Sequence, residues 1–180
     1  MRHNRRLAAL IAVGAFILGC RGVASAQRSR VSPHESTAAT VDGAAMSIEY
    51  GRPSTRGRVI FGRLVPYGDV WCPGADEATM LSTSRPLRIG PLAVPAGEYS
   101  LWILPTEADW TLIVNKEAHT FHTNYRGSSD LGRVRLEKRT LTSPVEQLTF
   151  AIEQSSAGAG GRIVMSWATT EVSAPFMVGN

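Results

Sequence analysis

Cysteine is nearly absent from this chain, with two in 180 residues, and histidine is scarce, with four. Each scarcity excludes something. Cys20 lies in a leader-like N-terminal stretch, so Cys72 is the one cysteine of the body. An internal disulfide framework is excluded, and cohesion has to come from core packing. Cys72, beside Pro73 and Gly74, reads as a reactive thiol or as a small buried filler. The filler is preferred, because free cysteine is among the most buried residue types. His119 and His122 are three apart, a spacing that faces together on a helix but not on a strand. No third ligand stands at motif spacing, so no metal site is expected. No nucleophile elbow, phosphate loop or dinucleotide fingerprint occurs, so no cofactor is expected. Ser54 has no assigned base. Beyond the first 26 residues there is no further long apolar run, so nothing would span a membrane once they are removed.

Those 26 residues read as a signal peptide. Arg2, Arg5 and Arg6 precede a 12-residue apolar run from Leu7 to Leu18, and Ala24-Ser25-Ala26 offers a cleavage site. A second reading competes: Ile17-Leu18-Gly19-Cys20 is similar to a lipoprotein box, which would lipidate Cys20. Leu18 is large for its place in such a box, so cleavage after Ala26 is preferred. Both readings predict export, to the periplasm or beyond it, or to the envelope by a lipid anchor. The formal charge of +4 also belongs to the leader, which holds four arginines and no acid. The remaining chain has fifteen basic and fifteen acidic residues, so nucleic-acid binding loses its electrostatic warrant.

What the chain does have is period-two alternation. Residues 27–36 are polar and read as an N-terminal arm, and residues 37–178 as one domain. Strands are expected at 37–41 and 44–50 around an Asp42-Gly43 turn, then at 79–83, at 92–94 after a turn at 88–91, and at 98–104, 110–115, 133–138, 148–153 and 163–167, with an edge strand at 171–175. Met46, Ile48 and Tyr50 share one face and Ser47 and Glu49 the other. Residues 98–104 are apolar on both faces, as in a covered central strand. No stretch keeps a helical period. The expected fold is all-β: a single antiparallel β-sandwich, jelly-roll-like, with a long ordered loop rich in Gly, Pro and Arg.

That loop, residues 51–79, holds five glycines, three prolines and four arginines, too irregular for a helix or a central strand. Val59, Ile60, Phe61, Leu64, Val65 and Trp71 give it apolar surface to bury, so it is expected to be packed and ordered. Loops of this length are usually functional or disordered. A second ordered loop is expected at 116–130.

The motifs Tyr50-Gly51-Arg52-Pro53-Ser54, Ile60-Phe61-Gly62, Leu64-Val65-Pro66-Tyr67-Gly68, Val70-Trp71 and Glu77-Ala78-Thr79 run in that order. Val94-Pro95-Ala96-Gly97-Glu98-Tyr99 and Trp110-Thr111-Leu112-Ile113-Val114-Asn115-Lys116 follow. The pattern resembles an exported bacterial family known as domain of unknown function 2911, across nearly all of residues 31–175. The resemblance implies a single exported domain and carries over no catalytic residue. Two departures stand out: Cys72-Pro73 replaces the Arg-Thr usual after Val-Trp, and Asp76 replaces the usual Asn. If that arginine serves a ligand, binding in this chain is altered or lost.

Arg52, Arg56, Arg58 and Arg63 suit a carboxylate or phosphate; alternatively they pair with Glu49, Asp69, Asp76 and Glu77 and pin the loop. Net neutrality favours pinning. Tyr67 and Trp71 either stack on a flat ligand or anchor the loop. Glu77 is the one catalytic candidate, and an incomplete one, because Asp76 beside it points to the other face of an extended segment. His34 either folds back on the loop or stays solvated. The main expectation is a binding module in which Arg52, Arg58, Tyr67, Trp71 and Glu77, with Asn115, line a concave site for a small polar or carbohydrate-like ligand. The alternatives are an envelope hydrolase using Glu77, and a structural or protein-interaction domain.

Overall fold

The computed structural model describes residues 32–179. The leader, the two readings of Cys20 and residues 27–31 of the expected arm lie outside the described residues.

The chain opens with the expected hairpin. Asp42 (φ 48°) and Gly43 (φ 78°) supply the left-handed pair that a tight two-residue turn needs. They join β1 (His34–Val41) to β2 (Ala44–Gly51) in antiparallel register. β1 starts inside the stretch expected to be an arm. Its start is tied down by Arg52, whose N–H donates to Pro33 O at 2.7 Å and whose Nη1 donates to Glu35 at 2.6 Å.

After β3 (Met80–Thr83) the chain leaves for the far edge, where β4 (Leu87–Ile89) and β5 (Leu92–Val94) form a short hairpin. It returns as β6 (Gly97–Pro105), β7 (Trp110–Asn115), β8 (Asp130–Gln154) and β9 (Gly161–Val178). The protein is all-β. Nine strands make one antiparallel sheet in the order β1-β2-β3-β6-β7-β8-β9-β4-β5, not closed into a barrel.

The two layers of the expected sandwich are two parts of this one sheet folded over. The β8–β9 register slips between Thr140 and Val145 and again between Val145 and Thr149, and Ala168 opposite has φ 51°. Such irregularities bend a strand and raise its twist. Beyond the bend, Phe150 of β8 meets Tyr50 of β2 edge-on, 5.0 Å between ring centres, and its N–H donates to Tyr50 Oη at 3.1 Å. Leu92 of β5 covers Gly132 of β8 so closely that a Cβ there would lie 2.4 Å from Leu92 Cδ1. One core enclosed by these contacts draws on all nine strands.

Two expected breaks are absent. Residues 133–138 and 148–153 belong to one strand, and so do 163–167 and 171–175. Pro144 lies between the first two. It falls between Thr140 and Val145, where β9 offers no registered partner, so its missing N–H breaks no rung.

The long loop is an insert clamped along its length. Thr55 N–H donates to Glu146 O at 2.8 Å, and Leu148 N–H to Pro53 O at 3.0 Å. Trp71 and Ile103 exchange two backbone bonds, each 2.8 Å, and Gly68 N–H reaches Pro105 O at 2.8 Å. Phe61 stands edge-on to Trp110, Trp71 and Trp167 at 4.6, 6.0 and 6.1 Å, while Trp71 stacks on Trp167 at 5.9 Å.

Two carboxylates are expected to make the fold acid-sensitive. Glu171 of β9 is buried and accepts Arg139 Nε at 2.5 Å and Nη2 at 2.8 Å. The guanidinium bond holds its carboxyl below the usual value, although burial opposes. Glu146 is also held low, by the Thr55 hydroxyl and then by Arg56 N–H. A depressed carboxyl stabilises the fold above its unfolded value, about 4.3, and that contribution disappears as pH falls through the folded value. Urea midpoints are expected to fall on acidification below about pH 5, and less so in Glu171→Gln. Parallel curves for the two proteins would contradict this role.

Candidate functional site

β6 buries both of its faces. Tyr99, Leu101 and Ile103 enter the main core, while Trp102 points the other way and joins Ile113, Cys72 and Ala78 in a second cluster. The cover for this outer cluster comes from the end of the insert and from the loop after β7. Asn115 organises that loop: its Nδ2 donates to Arg126 O and Asp130 Oδ1, both 2.9 Å, and its Oδ1 accepts Glu117 N–H at 2.9 Å. Tyr125 packs against the cluster and donates to Asp130 at 2.7 Å.

Insert and loop then pair with one another. Ala78 N–H donates to Thr120 O at 2.9 Å and His122 N–H to Asp76 O at 3.0 Å, with a bridge at Glu77 and Phe121. His122 Nδ1 lies 2.7 Å from the same carbonyl, which can only accept, so Nδ1 carries the proton. Asp76 adopts φ 66° to make this contact, a conformation asparagine and aspartate tolerate better than most residues.

Two clefts open beside this pairing. The first, about 530 Å³, is lined by His34, Glu49, Glu77, Met80, His119 and Phe121 among others. His34 Nδ1 is 3.9 Å from Glu77 Oε2, and His119 Nε2 is 2.9 Å from Glu98 Oε2. The second, about 370 Å³, is lined by Ser54, Arg56, Arg58, Leu64, Trp71 and His122 among others. Arg58 is pre-set there, donating to Thr55 O at 2.9 Å and Ser54 O at 2.7 Å.

The expected single site is thus divided. Glu77 lines the first cleft, and Arg58 and Trp71 line the second. Arg52 lines neither of these two clefts; its guanidinium is occupied by Leu148 O at 3.0 Å, Thr149 Oγ1 at 2.9 Å and Glu35. Asn115 is buried in the loop scaffold. Tyr67 is exposed at the tip of the insert and covers Gly62. Cys72 is buried in the second cluster, and loss of hydration pushes its thiol up to about 12, so it fills space as expected. Among the described residues no group of three or more His, Cys, Asp or Glu is placed to hold a metal ion.

Sequence reasoning missed Glu49, Met80, His119 and Phe121. The alternation of β2 does place Glu49 outward, and that of β3 sets Met80 beside it, since the two are register partners. Which segment roofs that face is a long-range fact with no local signal.

The sequence model of a family described as Protein of unknown function (DUF2911) matches residues 32–176. The chain belongs to this family. All residues named for both clefts fall inside the matched DUF2911 span. No curated protein and no solved structure matches the chain.

Proposed function

We propose that this DUF2911 member is a small-ligand binding module, working outside the cytoplasm, that takes a hydroxyl-rich, carbohydrate-like ligand in the larger cleft. The carrying observation is the cleft's lining: the apolar surfaces of Phe121 and Met80 set among the carboxylates of Glu49 and Glu77 and the rings of His34 and His119. A sugar ring has an apolar C–H face and a rim of hydroxyls. An aromatic face takes the first and carboxylate acceptors take the second. A volume of about 530 Å³ lies in the usual range for small-ligand pockets.

Titration with neutral mono- and disaccharides, followed by amide chemical shifts, tests this reading. Shifts are expected at His34, Met80 and Phe121. Affinity is expected to fall about tenfold, or ~1.4 kcal/mol, in both Glu77→Gln and Phe121→Ala. A panel that leaves those amides unmoved would remove the proposal.

A second reading keeps Glu77 as a general acid or base, favoured by the His34 ring at 3.9 Å. It requires turnover. If Glu77→Gln hydrolyses every accepted substrate as fast as the wild type, Glu77 has no catalytic part.

A further inference from the structure

Apolar side chains left in water gather at one place on this molecule. Among the described residues the exposed large hydrophobics are Val59 (67%), Leu64 (45%), Met177 (41%) and Tyr67 (38%), and three of the four lie in the insert. They are presented by an ordered turn. Gly62 N–H donates to Val65 O at 2.8 Å and Val65 N–H to Ile60 O at 2.9 Å. Ile60 and Val65 are buried while their neighbours Val59 and Leu64 face out. The ordering cost of presenting these side chains is therefore met in folding, before any partner arrives.

Arginines flank the apolar residues. Arg56, Arg58 and Arg63 are all exposed, against one acid, Asp69, in residues 56–69. None of the three forms an ion pair among the described residues. The bonds that orient Arg58 go to neutral carbonyls and leave its charge in place. Glu146 feels the charges of Arg56 and Arg58, but its carboxylate is bound to Thr55 and the Arg56 backbone.

We propose that residues 56–69 form a membrane-contact tip, seating Val59, Leu64 and Tyr67 in the interface of a bilayer whose headgroups are anionic phospholipids. Aliphatic side chains with a tyrosine, edged by arginines, combine the two attractions of peripheral binding: apolar burial at the headgroup boundary and Coulomb attraction to anionic lipid. Where the chain enters supports the same occupant. Ser32, the first described residue, lines the cleft that also holds Arg56, Arg58 and Leu64, so the described chain begins beside the tip. Eleven residues separate Cys20 from Ser32, a reach of at most about 40 Å. A lipid on Cys20 would hold the tip within range of the bilayer, giving two weak attachments in place of one. Without that lipid the tip alone gives weak, reversible binding.

The test uses a chain beginning at Gln27, which keeps every described residue. It is sedimented with vesicles of phosphatidylcholine and with vesicles of equal parts phosphatidylcholine and phosphatidylglycerol. Binding is expected to the phosphatidylglycerol vesicles, weakening with salt. The double variant Val59→Ser/Leu64→Ser is expected to lower the partition coefficient roughly tenfold, and Arg63→Glu to lower it severalfold. Since these side chains are exposed, melting temperatures should stay at the wild-type value, so loss of binding is not loss of fold. The proposal is overturned if phosphatidylglycerol gives no binding, or if the double variant binds as well as the wild type. It is equally overturned if the tip instead drives self-association without lipid that the double variant abolishes, since the surface would then be a protein contact.

Discussion

Gly51→Ala is expected to lower the melting temperature by about 6–12 °C, the equivalent of roughly 3 kcal/mol in a domain of this size. Gly51 closes β2, and the insert begins there. The other end of the insert returns to the same place. A Cβ on Gly51 would lie 2.2 Å from Ala75 O, 2.8 Å from Ala75 N and 2.9 Å from Ala75 C. These are backbone atoms and cannot swing aside as a side chain would. They are held in turn: Gly74 N–H donates to Cys72 O at 2.8 Å, and Thr79 Oγ1 to Pro73 O at 2.8 Å. The added methyl has to part the two ends of the insert or shift β2, and overpacking of this kind is costly. Gly57→Ala is the control. Gly57 has φ 72°, but nothing lies within 4 Å of its would-be Cβ. Its loss should stay near 1 kcal/mol, from backbone strain alone. Equal melting temperatures for Gly51→Ala and the wild type would show that the two ends are not in contact.

Phe61→Ala is the second large effect, an expected loss of about 3 kcal/mol. Phe61 is the insert's plug. Its ring stands edge-on to Trp110 of β7 and Trp167 of β9 as well as to Trp71 within the insert. Removing it leaves three indoles facing a hole, so the cost includes lost dispersion as well as lost burial. Phe61→Leu keeps most of the volume and should recover more than half of the loss. Chemical denaturation of the three proteins measures this. If the alanine variant unfolds at the wild-type midpoint, the aromatic cluster does not hold the insert.

How much of this was legible in the residues depends on range. The Asp42-Gly43 hairpin and the dry and wet faces of β2 follow from local chemistry, and the structure keeps them. So does the double burial of β6, read from apolar residues on both faces. The continuity of β8 through Pro144 was not legible, because a proline's cost depends on whether a partner strand offers a rung there, and that is decided by the slip of β9. Pinning of the arginines by Glu49, Asp69, Asp76 and Glu77 was favoured on charge balance; Arg52 does clamp the insert, but through Glu35, Leu148 and Thr149. Leu148 and Thr149 lie 96 and 97 residues away, and no local pattern names them. Asn115 was expected to help line the site. It is buried because the following loop folds back over it. The larger cleft was hidden for the same reason: its walls come from β1, β2, β3, the insert and the second loop, and only the chain's long-range path assembles them.

Amide hydrogen exchange along residues 51–79 tests the clamped insert most directly. The amides of Thr55, Gly68, Trp71 and Ala78 each donate to a carbonyl outside the insert. They should exchange as slowly as amides in the middle of β6 and β7, and Gly51→Ala should release them together. If these four exchange at unprotected rates in the wild type while β6 and β7 stay protected, the insert is not fixed to the sheet, and neither cleft keeps the walls described for it.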